Sequence, residues 1–461
     1  MRLPLLLSVL ALAATAQQVK LPPFTRTVLP NGATVDLMPR PGLPLVGFRV
    51  LLRGGGEAEP ADKAGLSAVT AALLRRGTSK RTADQFSGEL DSLGGAFDVS
   101  ANDLATILNA EFLKKDFDAA LDLVSDAILH PTFPEPEVKK LLAQRVEGAK
   151  TVKDNPGAAV GLYFRSFYFG AGHPYGRITD EASLARITRE DILAYQRRLY
   201  AGKNLTLIVT GDFDPAVAGP AIARALEPMP AGELYPWIAD TPVPRPSESR
   251  LLLVDKPDAT QTYFQIGQPG ITRKDPDRVT LLLLNTLFGG RFTSMLNQEL
   301  RTDTGLTYGA ASQLQQSRLT GVIAINTYTK TETTERAIAL ALDILKRLHD
   351  TGITAEQLSS VKMYVKGLYP RQALETADQL ANVLGEIELY GLNRGEVDDL
   401  FSSIDAVTLE RANVAARKYY RPDNLTFALV GNAKAIRESV KRFAPRMIEV
   451  DIRQPGFTVA R

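Results

Sequence analysis

The chain is written twice, and this constrains its fold more than any other feature. Around 190–214 it reads "EDILAYQRRLYAGKNLTLIVTGDFD", and around 410–434 "ERANVAARKYYRPDNLTFALVGNAK". Each copy is a basic amphipathic helix, one or two tyrosines, a turn, then Asn-Leu-Thr and an apolar strand that ends in glycine. The two triplets begin at Asn204 and Asn424, 220 residues apart. The halves also open alike: 31–59 and 249–274 each read strand, turn, strand, followed by a helix, "AGLSAVTAALL" and "DPDRVTLLLLNTLF". Self-similarity at a fixed spacing marks a repeated structural unit. At ~100–200 residues per domain, a chain of 461 residues has room for two large ones.

Between the copies, 227–249 reads "EPMPAGELYPWIADTPVPRPSES", with prolines at 228, 230, 236, 242, 244 and 246. Proline fixes φ and lacks an N–H, so this density resists helix and central strand and predicts a semi-rigid surface connector. Such a connector also invites a hinge. The expected organisation is a leader over 1–16, a first domain over 17–227, the connector over 228–248 and a second domain over 249–461. Within each half, blocks of strands and blocks of helices are separate. The stretch 94–113 alternates as a hairpin or edge strand, and 117–129 has helical spacing at Leu121, Val124, Ala127 and Ile128. The fold expected is α+β, two homologous domains, each a mainly antiparallel sheet with helices packed on one side.

The first residues, "MRLPLLLSVLALAATAQQ", have a basic start at Arg2, an apolar run from Leu3 to Ala13, and small residues at Ala14 and Ala16. That is the pattern of a secretory signal peptide cut after Ala16. The apolar run falls short of the ~20 residues that span a bilayer, and no later stretch reads as a membrane span. Export points to the periplasm, with secretion left open. The absence of cysteine removes disulfides, thiol nucleophiles and Cys-ligated zinc together. With 54 basic and 52 acidic residues and no block of like charge, nothing supports nucleic-acid binding. No G-x-S-x-G elbow occurs, which argues against a serine hydrolase.

Seven stretches together resemble the pitrilysin/insulinase superfamily of zinc peptidases, specifically the bacterial two-domain kind related to mitochondrial processing peptidase. They are "LPNG", "GLSAVTAALLRRGT" (65–78), "HPTFPEPEV" (130–138), "HPYG" (173–176), the two Asn-Leu-Thr strands, and "FGGRFTSMLNQELRTDTGLTYG" (288–309). Active members carry H-x-x-E-H on the helix that opens the second stretch. Two histidines at i and i+4 share one helical face and grip one zinc, and the glutamate polarises the attacking water. The resemblance places Ala68 and Ala72 at the histidine positions and Ala71 at the glutamate. Alanine has no donor atom, so this chain is expected to bind no metal. The family's third ligand is a glutamate about 75 residues later, where "VKKLLAQRVEG" offers no carboxylate before Glu147. Read without the family, the helix is a core helix with a buried stripe of Leu66, Val69, Leu73 and Leu74. Both readings stand together: a core helix at the position of a lost active site.

The chain has three histidines, His130, His173 and His349, and none lies three or four residues from another. His130 and His173 sit beside prolines and read as loop residues, and His349 lies near a helix end. The family also uses an arginine and a tyrosine seven residues apart, which reach from the second domain to the substrate carbonyl. Arg301 and Tyr308 in "RTDTGLTY" have that spacing. From the residues alone the simpler reading is favoured: Arg301 complements its helix C-terminus, and Tyr308 is a half-buried strand aromatic. The resemblance turns the balance toward a pair of donors for a peptide carbonyl or developing oxyanion. Gly289-Gly290 resembles the family's glycine-rich loop and reads first as turn geometry.

Taken with the resemblance, losing the metal site but keeping Arg301 and Tyr308 implies a zinc-less subunit of a heterodimeric zinc metalloendopeptidase. The partner would be a paralogue bearing H-x-x-E-H and holding the zinc, the substrate an unfolded peptide, and the pair would close as a clam-like chamber. The alternative is a non-enzymatic peptide-binding or envelope scaffold homodimer.

Overall fold

The computed structural model describes residues 19–239 and 241–459. The expected leader, 1–16, lies outside the described residues. The first half forms one six-stranded sheet from β1 (Thr25–Val28), β2 (Thr34–Pro39), β3 (Leu45–Arg53), β4 (Ala96–Ala101), β5 (Ala105–Leu113) and β6 (Leu205–Gly211), in the order β1-β2-β6-β3-β5-β4. The second forms another from β7 (Arg250–Asp255), β8 (Gln261–Pro269), β9 (Ala310–Gln316), β10 (Gly321–Lys330), β11 (Thr426–Gly431) and β12 (Arg446–Asp451), ordered β12-β7-β11-β8-β10-β9. Five strands correspond one for one, with β2-β6 and β7-β11 parallel and the following three pairings antiparallel. The duplication breaks at one edge. β1 pairs antiparallel with the strand that follows it, whereas β12 arrives last and pairs parallel with β7.

Each sheet is covered on both faces, which refines the one-sided layer expected from the sequence. One face of the first sheet holds its own helices, including Leu66–Leu73 and Phe117–Leu129. Its other face receives a helix from the second half, Ala377–Tyr390, whose Leu380, Leu384 and Ile387 pack on Leu51, Ile107 and Ile208. The exchange is reciprocal. Helix Pro156–Phe169 of the first half lays Tyr163, Phe164, Phe167 and Tyr168 on Leu252, Val322, Ala428 and Val430 of the second sheet. Burying large side chains of this kind contributes about 1.5–3 kcal/mol each. The approach is close enough that a Cβ on Gly267 would stand 2.2 Å from the Phe164 ring, so only glycine fits on that stretch of β8.

Polar contacts join the halves beside this exchange. Glu57 accepts from Arg318 Nη2 at 2.8 Å and from the Tyr175 hydroxyl at 3.2 Å. Trp237 of the connector lies under two guanidinium groups, Arg53 at 4.9 Å and Arg318 at 5.1 Å. Farther along, Arg245 donates to the Asp423 carbonyl and the Gln268 side chain, so the connector is tied down along its length.

Within the 26-residue stretch Arg278–Asp303, one 18-residue window reaches a mean hydropathy of 1.3, enough by length and composition alone to resemble a membrane span. Most of its apolar residues belong to the core: Leu281, Leu284, Leu287, Phe288, Leu296 and Leu300 are all buried. The helix is also interrupted at 291–294, where Ser294 recaps the chain by accepting from the Asn297 N–H.

Candidate functional site

Helix Leu66–Leu73 starts from Gly65 at φ 100°, a left-handed conformation that favours glycine. Glu59 closes its N-terminus from outside, accepting from the Gly65 and Ser67 amides at 3.0 and 2.7 Å and from the Ser67 hydroxyl at 2.5 Å. A carboxylate is well placed there, against the positive end of the helix. Leu66, Val69, Leu73 and Leu74 are buried at 2% exposure or less, as the periodicity predicts. Ala71 is fully buried, while Ala68 and Ala72 are half-buried on the face where the family's ligands would stand.

What packs around Ala72 is apolar. Helix Glu135–Thr151 packs on the same core with Leu142, Val146 and Ala149, and Ala72 joins that cluster. Glu147 points away, exposed and paired with Lys150 at 2.7 Å. Among the described residues no three His, Cys, Asp or Glu side chains converge as metal ligands. The residues at this position therefore do not fit a zinc ion. A cavity of about 310 Å³ beside Ala68 is lined by charges engaged with the chain itself, among them Glu59, Asp103, Arg165 and Arg177. Burial pushes the Asp103 and Glu59 carboxyls above their ordinary range.

Arg301 and Tyr308 lie at the end of the helical stretch that follows the break at 291–294. Residues Gln298–Asp303 are π-helical, and Gly305 turns the chain at φ 62°. Wider turns of this kind concentrate at functional sites. The Arg301 guanidinium carbon is 4.8 Å from the Tyr308 ring centre and 4.7 Å from that of Phe292. Tyr308 is not a half-buried strand aromatic. It is 75% exposed, two residues before β9 begins. The dipole reading of Arg301 stands alongside, since Arg301 occupies the last turn. Phe292, 68% exposed, escaped the sequence reading. Its one signal was a large apolar residue directly after Gly-Gly-Arg in a loop.

Gly289 is needed for close approach. Neither it nor Gly290 has a positive φ, and a Cβ on Gly289 would meet the Ser312 amide at 2.2 Å. The π-helical turn Thr286–Gly290 is thus pressed onto β9, just before the helix that carries Arg301. His173 is 5% exposed. Its Nδ1 accepts from the Tyr175 amide at 3.0 Å, which leaves Nε2 to donate to the Thr241 carbonyl at 2.9 Å. Both ring nitrogens are spent on backbone, and burial lowers the imidazole's pKa. His130 follows helix Phe117–Leu129, and His349 sits in the last turn of helix Thr334–Asp350.

Fold and site together define a duplicated peptidase scaffold whose metal-binding face is built of alanine and leucine. Residues 41–162 match the family model described as insulinase (peptidase family M16), and residues 186–365 match the peptidase M16 inactive domain. The chain belongs to peptidase family M16. An uncharacterized zinc protease of Mycobacterium leprae is 28% identical over 409 residues, covering 85% of this chain and 88% of the relative. A Helicobacter pylori protein named a non-peptidase homolog is 22% identical, covering 85% of this chain and 90% of the relative. The solved structure of a peptidase M16 inactive domain from Pseudomonas fluorescens has a TM-score of 0.82 at 24% identity, covering 89% of this chain and 98% of that one. At that identity it shows the fold.

Proposed function

We propose that this chain is the exported, zinc-less subunit of a heterodimeric metalloendopeptidase that degrades unfolded peptides in the periplasm. The observation that carries the reading is the Arg301–Tyr308 pair. Arg301 lies over two exposed rings and has no ion pair or side-chain hydrogen bond among the described residues. A guanidinium held over aromatic faces keeps its in-plane N–H groups free for an acceptor. In the complex, Arg301 and the Tyr308 hydroxyl donate to the carbonyl oxygen of the scissile peptide, where negative charge develops. The paralogous partner, with H-x-x-E-H, supplies the metal and the activated water. The non-enzymatic homodimer is the second reading, favoured by the donor-free helix face and by the name of the Helicobacter pylori relative.

The test is hydrolysis of a quenched fluorescent peptide by this chain, by the paralogue and by their mixture, repeated with Arg301→Ala. Activity that needs both chains, disappears on chelation and falls about 100-fold with Arg301→Ala, the scale of a lost oxyanion donor, supports the reading. A mixture no faster than the paralogue alone, with no co-elution on a sizing column, overturns it in favour of the homodimer.

A further inference from the structure

Two guanidinium groups in the stretch 291–301, those of Arg291 and Arg301, have no carboxylate partner among the described residues. Arg291, one residue before Phe292, lies 5.7 Å over the Tyr364 ring and donates from Nη1 to the Ser360 hydroxyl at 3.2 Å. Its Nε is buried with no hydrogen-bond partner among the described residues. Arg301 lies over Phe292 and Tyr308. The acids nearest in the chain are already engaged: Glu299 pairs with Arg347 at 2.5 Å and Asp303 accepts from Gln298 at 2.8 Å. On helix Ala355–Ala373, which carries Tyr364, Lys366 is paired with Asp405 at 2.8 Å. Arg291 and Arg301, left without a carboxylate, therefore both rest on exposed aromatics. The rings they rest on, Phe292, Tyr308 and Tyr364, are 68, 75 and 40% exposed, which leaves aromatic surface next to unneutralised positive charge.

We propose that the face formed by Arg291, Phe292, Arg301, Tyr308 and Tyr364 selects peptide segments with an acidic side chain next to an apolar or aromatic one. The inference rests on the reading that Arg301 and Tyr308 contact the peptide, and it names the class of peptide. The ring beneath each guanidinium screens its face from water, while the fork of N–H donors at its edge matches the two oxygens of a carboxylate. The neighbouring residue of the peptide covers the exposed rings, as patches rimmed by polar groups commonly do at binding sites. Lysine-rich segments are disfavoured by the same two charges.

The test uses the full mature chain and three fluorescently labelled peptides of one length, identical except for Glu, Gln or Lys at a position beside a leucine. Fluorescence anisotropy should rank Glu above Gln above Lys, with Glu about tenfold tighter than Gln, or ~1.4 kcal/mol. The Glu/Gln ratio should shrink toward one in about 1 M salt, where charges are screened beyond ~3 Å. Arg291→Gln and Arg301→Gln should each reduce the ratio, and Arg291→Lys, which keeps the charge, should retain most of it. Equal binding of the three peptides, no binding of any, or a preference that survives the double glutamine variant overturns the inference. Loss of the acidic preference with Arg301-dependent hydrolysis intact removes this inference alone, whereas hydrolysis indifferent to Arg301→Ala removes the functional reading beneath it.

Discussion

Replacing Arg318 with methionine breaks one of the charge pairs that join the halves. Glu57 is 5% exposed, and its carboxylate accepts from Arg318 at 2.8 and 3.3 Å and from the Tyr175 hydroxyl at 3.2 Å. Burial already pushes the Glu57 carboxyl up, against the opposing pull of Arg318 and Tyr175. Methionine preserves the apolar stem but leaves a buried carboxylate with one neutral donor. Removing one member of a buried pair costs about 3–5 kcal/mol. This cost depends on pH, and its sign follows from linkage. Without Arg318 the folded-state pKa of Glu57 rises further above its unfolded value, near 4.5. A group raised in the folded state gives stability that is present below the unfolded pKa and lost as pH climbs through the folded one, at up to ~1.4 kcal/mol per pH unit. The gap between parent and variant is therefore small at about pH 4.5 and largest near pH 8. Arg318 also donates to the Ile238 carbonyl at 2.8 Å and covers the Trp237 face at 5.1 Å, and neither of these interactions titrates. Their removal leaves a residual gap of about 1–2 kcal/mol in acid. Urea unfolding of both proteins at the two pH values measures the difference. A gap of equal size at both refutes the assignment of a buried charge to this junction.

Three further outcomes follow from the site. Gly289→Val should lower stability by about 1–3 kcal/mol, because the new side chain meets the Ser312 amide at 2.2 Å; a thermal melt unchanged from the parent would contradict that packing. His173→Asn should reduce stability and leave Arg301-dependent hydrolysis in the mixture intact. Since burial depresses the His173 pKa below 6.5, the parent loses stability as pH falls through and below that value, and the variant should lose less; a variant stable but inactive would make His173 catalytic. Grafting the lost motif as Ala68→His, Ala71→Glu and Ala72→His should not give tight stoichiometric zinc, because helix Glu135–Thr151 offers Leu142 and Val146 and no third ligand; stoichiometric zinc by atomic emission would show that the facing residues are misplaced.

Much of the local structure was legible. The hairpin of β4 and β5 and the helix Phe117–Leu129 occupy the stretches that periodicity marked, because each buries one face and shows the alternation or the 3.6-residue repeat directly. The covering of both sheet faces was missed, although a signal existed. β6 is buried at all seven positions and β11 at all six, and nearly continuous apolar runs such as "LTLIV" belong to strands covered on both sides. Sequence shows that a second cover is needed, but helices Pro156–Phe169 and Ala377–Tyr390 read like any other helix until the chain brings them across. Arg301 and Tyr308 were singled out by the family resemblance. Phe292 was not, because its contact with Arg301 depends on how the helix restarts after residue 294.

By itself the sequence determined the duplication, and through the family resemblance it placed alanines at 68, 71 and 72 where metal ligands would stand. Residue type at fixed spacing carries the first, and no tertiary arrangement gives an alanine side chain a lone pair to offer. The tertiary structure alone decided which half covers which sheet, that Glu57 meets Arg318 across 261 residues, and which arginines are left without a carboxylate. These depend on contacts between residues far apart in the chain, where burial sets the strength of a charge and the choice of neighbour sets whether it is neutralised.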